Sequence, residues 1–277
     1  MAIKTYRPTT PGRRGMTTRD FSSVTTSSSV KSLKKIKKQN SGRNNSGRIT
    51  VRHRGGGAKR FYRLVNYKAQ EDFTGTIEAI EYDPNRSANI ARVKDDQGKY
   101  HYVLAASSYK VGQQVHGGQK APIEAGNRLP LSRIPTGTQI YNIELKPGRG
   151  GQLVRTAGAQ AQLVAKEGTY AQVRLPSGEI RLIHLDCSAN IGNVGNEQHQ
   201  NVKLGSAGRV RRMGCRPQVR GKAMNAVDHP HGGGDGGAHG IGRNPKTPWG
   251  QPTLGYKTRR RKSTNNMIVR TRHKAKR

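Results

Sequence analysis

Net positive charge in this chain is concentrated at its two ends, and that decides which parts can build a core. Residues 1–60 carry 16 Lys and Arg against one acid, Asp20, and residues 201–277 carry 19 against Asp228 and Asp235. Residues 61–200 hold 16 cations and 13 acids, so of the formal net charge of +35 only +3 falls in the middle. A segment with so many like charges repels itself and has little to bury, whereas the middle is composed like an ordinary globular protein. The expected organisation is a folded body with two cationic extensions, which seek a dense polyanion. Nucleic acid is the polyanion that suits them best, because each neutralised phosphate releases condensed counterion.

The body reads as short strands between turn signals. Phe61–Val65, Thr76–Ile80, Asn89–Val93 and Tyr100–Leu104 are strand candidates, and the last two flank a hairpin turn at Asp95-Asp96-Gln97-Gly98. A second series begins near Gly137, with Ile140–Leu145, Leu163–Ala165, Ala171–Leu175 and Ile180–Ile183. In Ala171–Leu175 strict alternation puts Ala171, Val173 and Leu175 on one face. Apolar residues are 31% of the chain, which excludes one large core but allows one or two small ones. Strands this short at this spacing indicate a mainly β fold of two tandem small β-barrels, not βαβ units. The boundary falls at Asn127–Pro135, where two prolines interrupt the pattern. The chain therefore divides into a basic extension 1–60, β modules 61–130 and 131–200, and a basic Gly-rich extension 201–277.

In isolation the first extension is expected to be disordered. Fixing sixty residues costs on the order of 60–120 kcal/mol, which only dense partner contacts could offset. Its Lys34–Lys38 run also reads as a flexible basic tail or an import signal. In the second extension Ser206–Met213 is a candidate short basic helix, and Pro245, Pro248 and Pro252 exclude a continuous helix further on. Trp249, the single tryptophan, is expected to anchor local packing, with base stacking as the alternative. Cys187 and Cys215 have no paired spacing and read as reduced thiols of a cytosolic protein. No secretory leader and no stretch of the roughly 20 apolar residues a spanning helix needs is found, so no membrane is implied.

One stretch concentrates chemistry: Val227-Asp228-His229-Pro230-His231-Gly232-Gly233-Gly234-Asp235-Gly236-Gly237. Gly232, Gly234 and Gly237 match a dinucleotide fingerprint, but Pro230 precedes them, prolines follow, and no acid lies downstream. As a metal site it offers Asp228, His229, His231, Asp235 and His239, without a second cluster to complete a tetrahedron. As a catalytic site it makes His229 a general base, yet no nucleophile stands in a recognisable setting. RNA contact accounts for both the motif and its surroundings. Glycines let backbone amides approach phosphate, and imidazoles donate to phosphate or stack on bases.

Met224–Gly234 with Thr247-Pro248-Trp249-Gly250 closely resembles the universal L-two family of large-subunit ribosomal proteins in its bacterial form. Gly47–His53 with Gly55-Gly56-Gly57 resembles the family's N-terminal motif, and Glu81–Ala91 and Lys146–Arg155 resemble its body motifs. Ala226 stands where bacterial members have proline, and Asp235 where they have glutamate. The Ser/Thr-rich segment Thr17–Ser32 carries none of these motifs, and its contacts are left open. The resemblance implies an oligonucleotide-binding-type barrel followed by an SH3-like barrel. It also implies binding to large-subunit rRNA, a body near the subunit interface and a C-terminal part directed toward the peptidyl-transferase region. Arg86 and Arg155 match family positions associated with RNA contact.

The expected RNA-binding residues are therefore Arg43, Arg48, Arg52, His53, Arg54, Lys59, Arg60, Arg86, Arg155, Arg209, Arg211, Arg212, Arg216, Arg220, Lys222, His229, His231, Arg243, Lys246, Arg259, Arg260, Arg261 and Lys262. The expected partners are large-subunit rRNA, neighbouring ribosomal proteins and the small subunit, in the cytoplasm. No cofactor is implied, with Mg2+ at RNA contacts left open. The reading is a structural, non-enzymatic ribosomal protein. Its alternatives are acyl transfer involving His229 and a sequence-neutral compactor of nucleic acid.

Overall fold

The computed structural model describes residues 3–68, 73–234 and 244–272. They form two compact units, one of residues 1–38, 59–207 and 266–277, the other of residues 39–58 and 208–265.

In the first unit the cationic N-terminal stretch has nothing to bury and is held by backbone pairing. Strand β1 (Ile3–Thr5) pairs with β2 (Thr17–Arg19) across the short helix α1 (Pro11–Arg14), capped by the Thr10 hydroxyl. Strand β3 (Lys34–Ile36) pairs with β4 (Phe61–Arg63). Among the described residues of 3–60 none is buried. Among the bonds that fasten this stretch to the body, Thr25 N–H donates to Ile80 O at 3.0 Å, and Val30 N–H to the Tyr102 hydroxyl at 2.9 Å. That hydroxyl in turn donates to Glu81 Oε2 at 2.8 Å.

The body strands follow from alternation. In β5 (Phe73–Glu81) Gly75, Ile77 and Ala79 are buried while Thr76 and Glu78 are exposed. A bulge at Glu78 then turns Ile80 and Glu81 inward as well. Gly75 is required by its neighbours, since a Cβ there would lie 2.6 Å from Val93 Cγ1. Strands β6 (Ile90–Asp95) and β7 (Tyr100–Leu104) make the expected hairpin, closed by Gly98 at φ 79°. Strand β8 (Gln114–Gly117) runs antiparallel to β5.

In the second series β9 (Arg128–Pro130), β10 (Gln139–Tyr141), β11 (Ala161–Glu167), β12 (Tyr170–Arg174), β13 (Ile180–His184) and β14 (Ser188–Ile191) are joined antiparallel through β10–β11–β12–β13 and β10–β14–β9. The terminal strand β15 (Ile268–Arg270) returns to pair with β13. The mainly β expectation holds, with one difference. Among the described residues eleven strands form a single open ladder, β15-β13-β12-β11-β10-β14-β9-β8-β5-β6-β7, and no closed barrel. The ladder is continuous because β9 bonds parallel to β8 and antiparallel to β14 and so carries the sheet through the proline-interrupted stretch.

Two cores nevertheless form. One gathers Ile77, Ala91, Val93, Leu104, Val115 and Val194; the other gathers Leu129, Leu131, Ile140, Ile143, Leu163, Ala171, Val173 and Ile183, with Leu175 packed against it. Each fully buried aliphatic side chain stabilises by about 1.5–3 kcal/mol. Cys187 lies in the second core, where burial pushes its thiol up to about 12, so it stays protonated and inert.

A buried polar network spans β9, β10 and β14. Arg128 Nη2 pairs with Glu144 Oε1 at 3.0 Å, and its Nη1 donates to Asn142 O and Asn190 Oδ1, both at 3.0 Å. Glu144 also accepts Gly150 N–H at 2.9 Å and Ser188 N–H at 3.1 Å. The carboxylate thereby fixes the loop Lys146–Gly151.

The second unit joins two cationic segments far apart in sequence. Gly55 N–H donates to Gly214 O at 3.0 Å, Ala58 N–H to Arg212 O at 2.9 Å, and Arg216 N–H to His53 O at 3.0 Å. A Cβ on Gly57 would lie 2.9 Å from Gly214 Cα, so the two backbones meet where neither has a side chain. The expected basic helix is present as α2 (Ala207–Arg212), ended by Gly214 at φ 90°. Among the described residues of this unit only His229 is buried.

Candidate nucleic-acid interface

The two arginines of the body motifs, 69 positions apart, converge on one ring. The Arg155 guanidinium lies 4.6 Å from the Tyr67 ring centroid and that of Arg86 lies 5.8 Å from it. Arg86 Nη1 donates to the Tyr67 hydroxyl, and Arg86 Nε pairs with Asp83 at 2.6 Å. Arg155 Nη1 donates to Gly151 O at 3.1 Å, while Gly151 N–H donates to Tyr67 O at 2.9 Å. The glycines of Lys146–Gly151 allow that approach: a Cβ on Gly151 would fall 1.9 Å from Asn142 Oδ1. Arg86 is largely covered, but Arg155 is exposed and keeps further N–H donors for an anion. Sequence reasoning missed Tyr67, because nothing local marks one tyrosine in Val65-Asn66-Tyr67-Lys68.

In the second unit the glycine-histidine stretch closes on itself. Asp228 N–H donates to Asn225 O at 3.0 Å, Gly232 N–H to His229 O at 2.8 Å and Gly233 N–H to Met224 O at 3.1 Å. A Cβ on Gly232 would sit 2.2 Å from Asn225 O, and one on Gly221 would sit 2.5 Å from His229 Nδ1. Both imidazoles accept backbone protons. His231 N–H donates to His229 Nδ1 at 3.0 Å, and Lys246 N–H to His231 Nε2 at 2.8 Å. The ring centroids are 4.8 Å apart. His229, 9% exposed, is thus a buried hydrogen-bonded histidine at the middle of the loop. Asp235, Gly236, Gly237, His239 and Arg243 lie outside the described residues, and among the described ones no three His, Cys, Asp or Glu side chains cluster as metal ligands would.

Desolvation, with repulsion from His229, Lys222 and Lys246, holds the His231 imidazole below its ordinary value of 6.5. Because the folded value lies below the unfolded one, the neutral ring's contribution is complete above about 6.5 and is lost as pH falls through the folded value. The Lys246 amide should therefore lose hydrogen-exchange protection as pH falls below about 6.5, when corrected for its intrinsic rate. The Gly250 amide, bonded to Thr247 O at 2.9 Å, should not.

The remaining candidates are mostly outward cations. Arg43, Arg48, Arg52, Arg54, Lys59, Arg211, Arg212, Arg216, Arg220, Lys222, Lys246 and Arg259 to Lys262 are exposed, whereas His53, Arg60, Arg209 and His231 are half-buried. Arg48 sits on a turn whose Asn44 Oδ1 accepts the Arg48 and Ser46 amides at 2.9 and 3.1 Å. Arg60 is partly used within the fold, donating to Pro84 O at 3.1 Å. Trp249 corrects an expectation. It is not a packing anchor but stands 77% exposed, on a turn between prolines with no core near it in this unit.

A pair of small β cores bearing cationic segments, with arginines clamped to an aromatic ring, defines a nucleic-acid-binding protein. Residues 30–117 match the family model described as Ribosomal Proteins L2, RNA binding N-terminal domain, and residues 124–250 match Ribosomal Proteins L2, C-terminal domain. The chain belongs to the ribosomal protein L2 family, and its role is that of an RNA-binding structural constituent of the large ribosomal subunit. Among the described residues no helix is long and apolar enough to cross a membrane.

Proposed function

We propose that the chain fastens large-subunit rRNA with its cationic segments, supports association with the small subunit, and shapes the surroundings of the peptidyl-transferase region without performing the chemistry. The observation that carries this is the Arg86–Tyr67–Arg155 clamp, which fixes one guanidinium and holds a second outward on a rigid loop. The exposed arginines and lysines named above, with Arg86 and Arg155, are its RNA contacts. Residues 61–130 and 131–200 act as its two β modules, and residues 1–60 and 201–277 as its basic extensions. Neighbouring ribosomal proteins complete its surroundings in the cytoplasmic ribosome.

Salt dependence tests the contacts. Arg155→Ala should weaken binding to a large-subunit rRNA fragment and reduce the slope of log K against log salt by about 1. Equal affinity of the wild-type protein for random duplex DNA at matched salt would favour the compaction reading instead.

The non-enzymatic reading rests on the tautomer of His229. With Nδ1 accepting the His231 amide, the neutral ring carries its proton on Nε2, so its other nitrogen is a donor and not a base. His229→Gln ribosomes, compared at matched assembly, should retain the chemical step of peptide transfer. A collapse of that step in fully assembled ribosomes would restore the acyl-transfer reading.

A further inference from the structure

The Ser/Thr-rich segment that no family motif accounts for carries an aromatic side chain with a built partner. Phe21 and Tyr82 stand edge to face, with centroids 5.7 Å apart and planes at 82°, and they remain 51% and 44% exposed. The Arg19 guanidinium lies 5.0 Å from the Phe21 centroid and 5.4 Å from that of Tyr82. Arg19 is itself held, donating through Nη2 to the buried Asn89 Oδ1. The turn bearing Phe21 is pinned to the end of β5, since Thr25 N–H donates to Ile80 O at 3.0 Å and Ile80 N–H to the Thr25 hydroxyl at 2.9 Å. Two large aromatic rings are thus held in place while exposed to water.

We infer that Phe21 and Tyr82, backed by Arg19, form a stacking ledge for an unpaired base of RNA, a deepening of the RNA-binding reading proposed above and resting on it. An aromatic face accepts any base, and a guanidinium beside it adds cation–π attraction. The local charge suits a polyanion. The acids next to Tyr82 are spent inside the fold, Glu81 on Tyr102 and Arg92 and Asp83 on Arg86. Asp20 accepts the Ser22 amide at 3.2 Å, and it is the sole acid among sixty residues that carry 16 cations.

Stacking and phosphate contact differ in their response to salt, and this gives the test. The full chain is titrated with a short unpaired riboadenylate oligomer and with duplex RNA of equal length, across a salt series. Phe21→Leu and Tyr82→Leu, which keep apolar bulk, should each weaken single-strand binding about 10-fold with an unchanged salt slope. Duplex affinity should not move, and Phe21→Tyr should restore binding. In a Trp249→Phe background, Phe21→Trp should be quenched by the single strand. Unchanged single-strand affinity in both leucine variants overturns the ledge while leaving the wild-type rRNA preference intact. Unchanged affinity with impaired entry into reconstituted large subunits also overturns it, assigning the patch to a protein neighbour. A loss that reduces the salt slope would overturn it too, by making these residues supports of phosphate contacts.

Discussion

Glu144→Ala is expected to destabilise the body by about 3–5 kcal/mol, the usual cost of stranding one member of a buried ion pair. Its carboxylate is 1% exposed and meets Arg128, itself 3% exposed. Removal leaves the guanidinium without a counter-charge and the Gly150 and Ser188 amides without an acceptor, each worth about 1–3 kcal/mol when buried. Burial already lowers the Arg128 pKa, so the charge is held at a disadvantage before the pair is broken. A single domain has about 5–15 kcal/mol of stability in total, so the loss should show plainly as a shift in urea midpoint. Replacing both partners, Arg128→Met with Glu144→Leu, should recover the cost of the stranded charge but not that of the two amides. A Glu144→Ala stability within about 1 kcal/mol of wild type would show that the network does not hold the loop Lys146–Gly151 in place.

Gly151→Ala should act on binding as strongly as on folding. Its methyl would lie 1.9 Å from Asn142 Oδ1 and 2.5 Å from the Asn142 carbonyl oxygen, so the loop backbone must move. Forcing such a group into a packed site costs about 1–3 kcal/mol. The displaced residue is also the one whose N–H donates to Tyr67 O and whose carbonyl accepts from Arg155. We expect rRNA-fragment affinity to fall by about tenfold, or 1.4 kcal/mol, in protein that still melts cooperatively. Gly15→Ala has open space around it and serves as the control, with both properties unchanged. Normal affinity in Gly151→Ala would separate Tyr67 and its arginines from RNA binding.

Much of the body was legible because alternation is a local signal. Tyr100–Leu104 is both the expected and the observed strand, and Ala171 and Val173 are buried as their spacing requires. The short strands β8, β9 and β14 were missed, since three or four residues around Gly117, Arg128 or Asn190 give no period to detect and exist only through their partners. The clamp was half legible: family motifs pointed to Arg86 and Arg155, but only tertiary contact reveals Tyr67 between them. The histidine loop shows the same limit. Its residues announce chemistry, while the bonds to His229 Nδ1 and His231 Nε2 come from main-chain amides that carry no sequence signature. Trp249 misled because tryptophan is usually buried, and here no core is near enough to take it.

The return of β15 to β13 has a topological consequence. Arg181 pairs with Ile268, and Leu182 N–H donates to Met267 O at 2.9 Å, so residues 208–265 are tethered to the first unit at both ends. Such a segment is an eyelet and not a thread: it cannot be drawn through a closed ring of RNA once the last strand is in place. Either the RNA closes round it afterwards, or β15 is the stitch made last. Were RNA to encircle that segment, the pairing of three residues near the C-terminus would set the order of assembly, and cutting the chain just before them would remove that constraint.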